Sequence, residues 1–257
     1  MTPPRTRTLR PVRRSGHDRA LVHYYDAGGT ERLIPARQAA RVAFEDALPA
    51  REIPSYAGQH HTPGHYWSAT TDRMMGYESY LESKWMKLLD FDPEATAFSA
   101  QPFTIEAHDV EGRWEHTPDL FVRRSDGSAL LVDVKHDDRI PVPAVVRQAR
   151  RTTELCRQLG WDYAMVGEPD PLRWATVSWL AGYRRPLHAG KDLAGPLLQL
   201  ARQPVPIGKL VSFQTLPELA RSVVYHLMWH HHLAFDSTRP LRDHTRVYAA
   251  RAGGPHE

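Results

Sequence analysis

The sequence predicts an α/β fold, a small mixed sheet flanked by helices, followed by a smaller and mostly helical module. Three observations lead there. Between Tyr77 and Tyr183 the apolar pattern reads helix, strand, strand, strand, helix, strand, helix. The strand-like runs are short and separated by turn residues, as at Asp109-Val110-Glu111-Gly112 and Ser125-Asp126-Gly127. After Arg184-Arg185-Pro186 the pattern turns helical, with breaks at Gly195-Pro196, 204–208 and Pro217.

Taken in order, residues 1–16 hold five arginines and no acid, so residues 1–17 read as a disordered basic arm. Such an arm suits loose phosphate contact, or serves only as a solubilising tail. Residues 18–55 form an N-terminal extension. It has a strand over 20–25, a turn at Gly28-Gly29 and a helix over 35–48. Residues 56–73 read as a polar, aromatic loop. Tyr77, Leu81, Trp85, Leu88 and Leu89 recur at helical spacing, and Pro93 stops continuation. Strands are expected over 101–107, 114–123 and 129–135. Pro143 opens a helix that Gly160 closes near Leu159. A strand over 163–166 and a helix over 172–183 complete the core. In 186–257, helices are expected near 193–202, 206–211 and 216–232, with an extended pair at 233–236 and 246–250. Three helices and a short ribbon are compatible with a winged-helix module.

Bulk composition narrows the class. The chain has 257 residues, 41% of them apolar, enough for a core of its own. No apolar run approaches the roughly 18 residues needed to cross a bilayer, and the basic N-terminus lacks the apolar stretch of a secretory signal. The expected location is the cytoplasm, associated with the nucleoid. Cys156 is the only cysteine, which excludes an intrachain disulfide and a cysteine-rich zinc site. The net charge of +3 is a mild pointer to a polyanionic partner.

The chemistry concentrates in two short segments, His116-Thr117-Pro118-Asp119 and Leu130-Leu131-Val132-Asp133-Val134-Lys135. Alternate side chains of a strand share a face, so Leu131, Asp133 and Lys135 point one way and Leu130, Val132 and Val134 the other. The turn at 125–127 folds the two strands into a hairpin and lets Asp119 approach Asp133. Two carboxylates at one sheet edge suit a hard divalent cation such as Mg²⁺, with Mn²⁺ able to substitute. The backbone carbonyl of Val134 adds an oxygen, and Lys135 orients an attacking water or meets phosphate charge. A third carboxylate is expected from the preceding helix, where Glu78 and Glu82 lie four apart; Glu82 is preferred and Glu78 is the alternative ligand. Each residue also has a plainer reading. Asp119 follows a proline as turn residues do, Asp133 and Lys135 suit a solvated strand face, and Glu82 suits an exposed helix face.

These residues carry a resemblance. TPDLF followed by LLVDVK resembles the PD-(D/E)xK motif of restriction-endonuclease-like nucleases. The longer string YESYLESKWMKLLDFDPEATAFSAQPFTI is similar to the nuclease domain of TnsA-type subunits of heteromeric transposases. The resemblance covers roughly 56–185 and leaves the first 55 residues unexplained. It implies a restriction-endonuclease-like core with Glu82, Asp119, Asp133 and Lys135 as catalytic residues. It also implies a Mg²⁺-dependent cut at the 5′ ends of a transposon in double-stranded DNA, and a winged-helix-like C-terminal module over 186–257. A TnsB-type DDE transposase and a TnsC-type ATPase are partners implied by the resemblance alone. Some members carry glutamine at the second acid; this chain has Asp133. A stand-alone restriction, repair or junction-resolving nuclease of the same fold is the alternative enzyme. A non-catalytic subunit that binds DNA or a partner is the alternative outside catalysis.

Other groups are weaker pointers. Arg147, Arg150 and Arg151 share a helix face that would meet DNA phosphates, with Arg157 partly aligned. His60, His61 and His65, and the group His226, His230, His231 and His232, lack the spacing of a zinc site. His116 and His136 lie near the acids in sequence. Gln101 approaches the same edge but is equally explained by packing beside Pro102. Trp174, Trp179 and Cys156 read as packing residues.

Overall fold

The computed structural model describes residues 20–51 and 62–250. The basic arm, His60 and His61 lie outside them. The molecule is mixed α/β, built on two four-stranded sheets with helices and a hairpin around them. One sheet has the order β2-β1-β6-β7, from Glu31–Pro35, Leu21–Tyr25, Thr104–Asp109 and Gly112–His116. The central sheet has the order β10-β9-β8-β5, from Asp162–Val166, Ala129–Val134, Leu120–Arg124 and Ala95–Ala100. All its pairings are antiparallel except β9 with β10, which run parallel across the crossover helix α2, Pro143–Leu159. Pro143 and the left-handed Gly160 (φ 70°) bound α2 where the sequence predicts.

The central sheet divides the core. Leu131 faces one apolar cluster with Val22, Ile105, Trp114, Phe121, Leu155 and Trp161, between the two sheets and α2. Val132 and Val134 face a second cluster, with Leu81, Met86 and Leu89 of α1 (Tyr80–Asp90) and Tyr66 and Met75 of a β3–β4 hairpin (Gly64–Ser68, Arg73–Tyr77). The alternation expected of β9 is therefore met on both faces.

Four expectations need correction. The helix over 35–48 is two short 3₁₀ turns, Ala36–Arg41 and Phe44–Asp46. Between them Val42 is extended, which brings Phe44 fully inside against Tyr24, Phe103, Phe121 and Trp161. Residues 64–68 and 73–77, read as part of a loop or as helix, pair instead as β3 and β4. The strand over 114–123 is two strands in different sheets, broken at Thr117-Pro118-Asp119, where Pro118 has no N–H to give a ladder. The strand over 101–107 starts only at Thr104, and β5 precedes it unanticipated; Gln101 between them takes a left-handed φ of 48°.

C-terminal to α3 (Pro171–Leu180) lie helices α4 (Ala194–Leu200), α5 (Ile207–Ser212) and α6 (Pro217–Trp229). A three-stranded sheet ordered β11-β13-β12 accompanies them, from Val205–Pro206, Arg246–Ala249 and Leu233–Phe235. Their apolar cluster includes Leu197, Ile207, Leu210, Val223 and Met228, and it continues into Val177 and Leu180 of α3 and Leu88 of α1. Among the described residues no helix is long and apolar enough to cross a membrane.

The β3–β4 hairpin hangs on one buried acid. Asp90, at the end of α1, accepts from Tyr66 Oη (2.6 Å), Ser68 Oγ (2.7 Å), Ala69 N (3.0 Å) and Thr70 N (2.7 Å). Asp90→Ala strands all four donors and is expected to cost about 3 kcal/mol or more. Urea unfolding should show this as a lowered midpoint; an unchanged midpoint would mean that the hairpin is held by its apolar contacts alone.

Candidate active site

Proline breaks the chain between β7 and β8, and the residue after the break lands at the end of the central sheet. The pairing of Leu120 with Val132 sets residue 119 across from residue 133. Asp119 is buried, and its Oδ2 accepts from Val134 N (2.7 Å) and Lys135 Nζ (3.1 Å). Its Oδ1 makes no hydrogen bond among the described residues. Lys135 Nζ also donates to Val134 O at 3.0 Å, so the carbonyl expected to face a cation is engaged by the lysine. Lys135 N bonds to Val166 O, which ties this edge to β10.

Asp133 is 1% exposed and differently held. His116 Nε2 lies 2.8 Å from Oδ2 and 3.0 Å from Oδ1, and Tyr163 Oη donates to Oδ2 at 2.7 Å. Tyr163 stands beside Leu131 on the parallel strand β10, two residues from the Met165–Asp133 pair. In the sequence Tyr163 opens a strand and belongs to no motif. The parallel β9–β10 pairing is the signal that would have found it, and that pairing comes from tertiary structure.

Electrostatics separate the two aspartates. Burial raises the Asp119 carboxyl above the ordinary range, more than the nearby Lys135 ammonium lowers it. Burial pushes Asp133 the same way, but the bonds and charge of His116 and the Tyr163 hydroxyl outweigh it, and the carboxyl lies below the ordinary range. Lys135 is partly open, and Asp119 and then Asp133 hold its proton more tightly than usual against the effect of burial. Cys156, buried behind the site, has its thiol pushed up to about 12 and stays uncharged.

Glu82 lies in the first turn of α1. The helix begins at Tyr80 with Ser79 as its cap, so Glu78 precedes the helix and does not share a face with Glu82. Ser79 Oγ accepts from Glu82 N (3.2 Å) and donates to Glu82 Oε1 (2.8 Å), while Glu82 Oε2 accepts from Glu78 N (2.9 Å). This is a capping arrangement shifted by one residue. Burial, and next the charge of Asp119, raise the Glu82 carboxyl to about 7. Glu78 pairs with Arg51 at 2.8 Å.

A cleft of about 400 Å³ opens on this edge, lined in part by Arg51, His116, Asp119, Asp133, Lys135 and Gln148. Glu82 does not line it. Nothing in the sequence marks Arg51, because the extension that bears it matches no motif. Gln101 joins the edge through its backbone, donating from N to Asp119 O and accepting from Ala50 N. Its side-chain amide is buried with neither atom bonded, and Glu78 Oε1 and Gln148 Nε2 are likewise buried without a partner. Unmet polar atoms and a left-handed non-glycine residue gathered at one edge oppose stability, as residues do where a ligand completes the site.

The carboxylates of Asp119 and Asp133 fit a hard cation in chemistry, since both offer oxygen. Among the described residues, however, no group of three or more His, Cys, Asp and Glu side chains is arranged to hold a metal ion. His65 is exposed on β3. His226, His230 and His231 bond to the carbonyls of Tyr183, Arg184 and Phe91, a packing role. The arginines of α2 also need correction. Arg150 pairs with Glu111 (2.6 Å), and Arg151 grips Asp109 (2.7 and 2.9 Å) beside Trp114, so both close the β6–β7 turn onto the helix. Arg147 is exposed and makes no ion pair among the described residues. No model of a known protein family matches the chain, and no curated protein matches it.

The raised carboxyl of Glu82 gives a pH test. Its folded pKa exceeds the unfolded value near 4.5, so the stability it contributes is complete below about 4.5 and lost as pH rises to about 7. The full loss is about 3 kcal/mol. Glu82→Gln should flatten the fall in unfolding free energy between these limits. An equal fall in both proteins would place the titration elsewhere.

Proposed function

We propose that this protein is a metal-dependent DNA endonuclease with a restriction-endonuclease-like core, and that Glu82, Asp119, Asp133 and Lys135 form its active site. One observation carries the reading. Asp119, Asp133 and Lys135, distant in two segments of the chain, converge on one cleft at the end of the central sheet, with Asp119 bonded to Lys135. A helix–strand–strand–strand core with a parallel crossover strand supports the same reading.

Asp119 would hold Mg²⁺ or Mn²⁺ through Oδ1, with Asp133 and Glu82 as neighbouring acids. When bound, such an ion supplies a polarised water and offsets charge on the phosphate. Lys135 stands ready charged beside Asp119, where it orients a water or meets a phosphate oxygen. Arg51, on the cleft wall and half exposed, offers a planar fork to the phosphate if it exchanges Glu78 for it. Tyr163 and His116 keep the carboxylate of Asp133 ionised and fixed.

The cut would fall at the 5′ ends of a transposon, with a TnsB-type transposase and a TnsC-type ATPase as partners. This more specific role rests on the resemblance. For the C-terminal module, the order α4-β11-α5-α6-β12-β13 and the sheet order β11-β13-β12 support a winged-helix-like reading. A DNA-reading helix projects into the major groove. Here α6 is largely buried, and its Arg221 pairs with Asp243. This favours a protein-binding or structural role for the module.

One other reading is a subunit that keeps the fold without catalysis. Nicking of a labelled transposon end, with Mg²⁺ and the neighbouring transposase present, separates the two. Wild type should cut near the 5′ end, and Asp119→Ala and Lys135→Ala should each slow the cut roughly 100- to 1,000-fold while still binding DNA. Variants that cut as fast as wild type would remove these residues from the site. No cutting by wild type, together with no heat of Mn²⁺ binding, would favour the non-catalytic subunit.

A further inference from the structure

A second cluster of charge lies away from the cleft. Tyr80, Lys84 and Lys87 follow one another along one side of α1, at spacings of four and three. Around them stand Tyr66 and Trp67 of β3, Trp174 of α3, and Arg184 and Arg185 of the segment after α3. Lys84 Nζ lies 5.4 Å from the Tyr80 ring centre and 5.7 Å from that of Trp174. Lys87 Nζ lies 5.4 Å from Trp174, 5.7 Å from Tyr66 and 6.0 Å from Tyr80. The guanidinium carbons lie over further rings, Arg184 at 5.0 Å from Tyr66 and Arg185 at 4.8 Å from Trp67.

What this cluster lacks is acid. Lys84 has Glu168 at 2.6 Å, but Lys87, Arg184 and Arg185 make no ion pair among the described residues. Arg184 spends its donors on the carbonyls of Trp67 and Ala181. Asp90, bonded to Tyr66, is already taken up by its four donors. Lys87 and Arg184 therefore share the Tyr66 ring with no carboxylate paired to either. Burial first, and Arg184 second, loosen the proton of Lys87. Elsewhere on this surface Arg123 and Arg124 of β8, Arg150 and Arg151 of α2 and Arg221 of the C-terminal module sit beside carboxylates.

We infer that Lys87, Arg184 and Arg185 form a phosphodiester-binding patch that holds the backbone of double-stranded DNA outside the catalytic cleft. Three cations from two separate segments suit successive phosphates better than a single small anion. The aromatic rings carry cations on their faces, so they do not offer those faces to bases. This favours a duplex backbone over a stacked single strand. None of the three lines the cleft of Asp119. The choice of DNA rests on the nuclease reading; the anion site itself rests on the missing carboxylates.

The test is the fluorescence anisotropy of a labelled plain duplex in EDTA, titrated with the full chain over a range of KCl. The double variant Lys87→Gln with Arg185→Gln leaves Arg184 and its carbonyl bonds in place. A control, Arg37→Gln with Arg41→Gln, removes the same charge from the exposed face of the first 3₁₀ turn. The patch variant should bind more weakly than wild type and the control, with the slope of log affinity against log salt reduced by about two. Equal affinity and slope in wild type and patch variant, an equal loss in the control, or no duplex binding by wild type would each overturn the proposal. Patch-dependent binding of anionic lipid vesicles with no effect on duplex would overturn it too. Cleavage of a labelled transposon end is scored separately, with Mg²⁺ and the neighbouring transposase present. Patch-dependent binding without cleavage leaves the patch standing and removes the nuclease reading, and cleavage with no effect of the patch variant does the reverse.

Discussion

Carboxylates cannot be buried without company, and two of them meet at one end of the central sheet with the charge of Glu82 within electrostatic reach. The structure resolves this differently for each. Asp133 is met by two donors and stays ionised, Asp119 is met by a backbone N–H and an ammonium, and Glu82 is left with a proton of near-neutral affinity. The divided sheet order, the break at Pro118 and the parallel β10 all serve this arrangement. Pro118 ends the first sheet's strand and lets the chain enter the central sheet at Asp119, and β10 brings the Tyr163 hydroxyl to Asp133. Burial in low dielectric makes each of these contacts strong and makes any unmet one expensive.

Local chemistry made much of this legible in sequence. The crossover helix is bounded by Pro143 and Gly160, whose backbone preferences act wherever the chain folds. Alternation along 129–134 reported the two faces of β9 because each face meets its own core. What stayed illegible depends on partners far along the chain. The β3–β4 hairpin lacks a strong turn sequence because Asp90 holds its turn from the end of α1. Arg150 and Arg151 looked available to phosphate because the acids they meet lie on another hairpin. Glu78 and Glu82, four apart, read as acids of one helix face, and only the folded helix start shows Ser79 as the cap that separates them. Tyr163 and Arg51 were invisible as site residues, since neither belongs to a motif and each arrives through packing.

Charge on this surface is sorted by contact. Where arginines meet carboxylates, as between α2 and the β6–β7 turn, the pairs fasten one layer to the next. Where Lys87 and Arg184 meet aromatic rings and no paired carboxylate, around Tyr66 and Trp174, the rings offset part of the repulsion. A modest net charge thus hides local regions of very different potential, which is why composition said so little about partners.

The first sheet carries a consequence for how the molecule is made. Strands β1 and β2 pair with each other at the N-terminus, but β1 takes its other neighbour from β6, which follows the β3–β4 hairpin, α1 and β5. During synthesis the early hairpin leaves the ribosome with the apolar sides of Val22 and Tyr24 uncovered, and it waits for β6 and Phe121 to be translated before its core closes. Such long-range pairing is slow to form. The interval in which the N-terminal hairpin is exposed is therefore set by the pace of translation through the middle of the chain, and it is the period when a chaperone has most to shield.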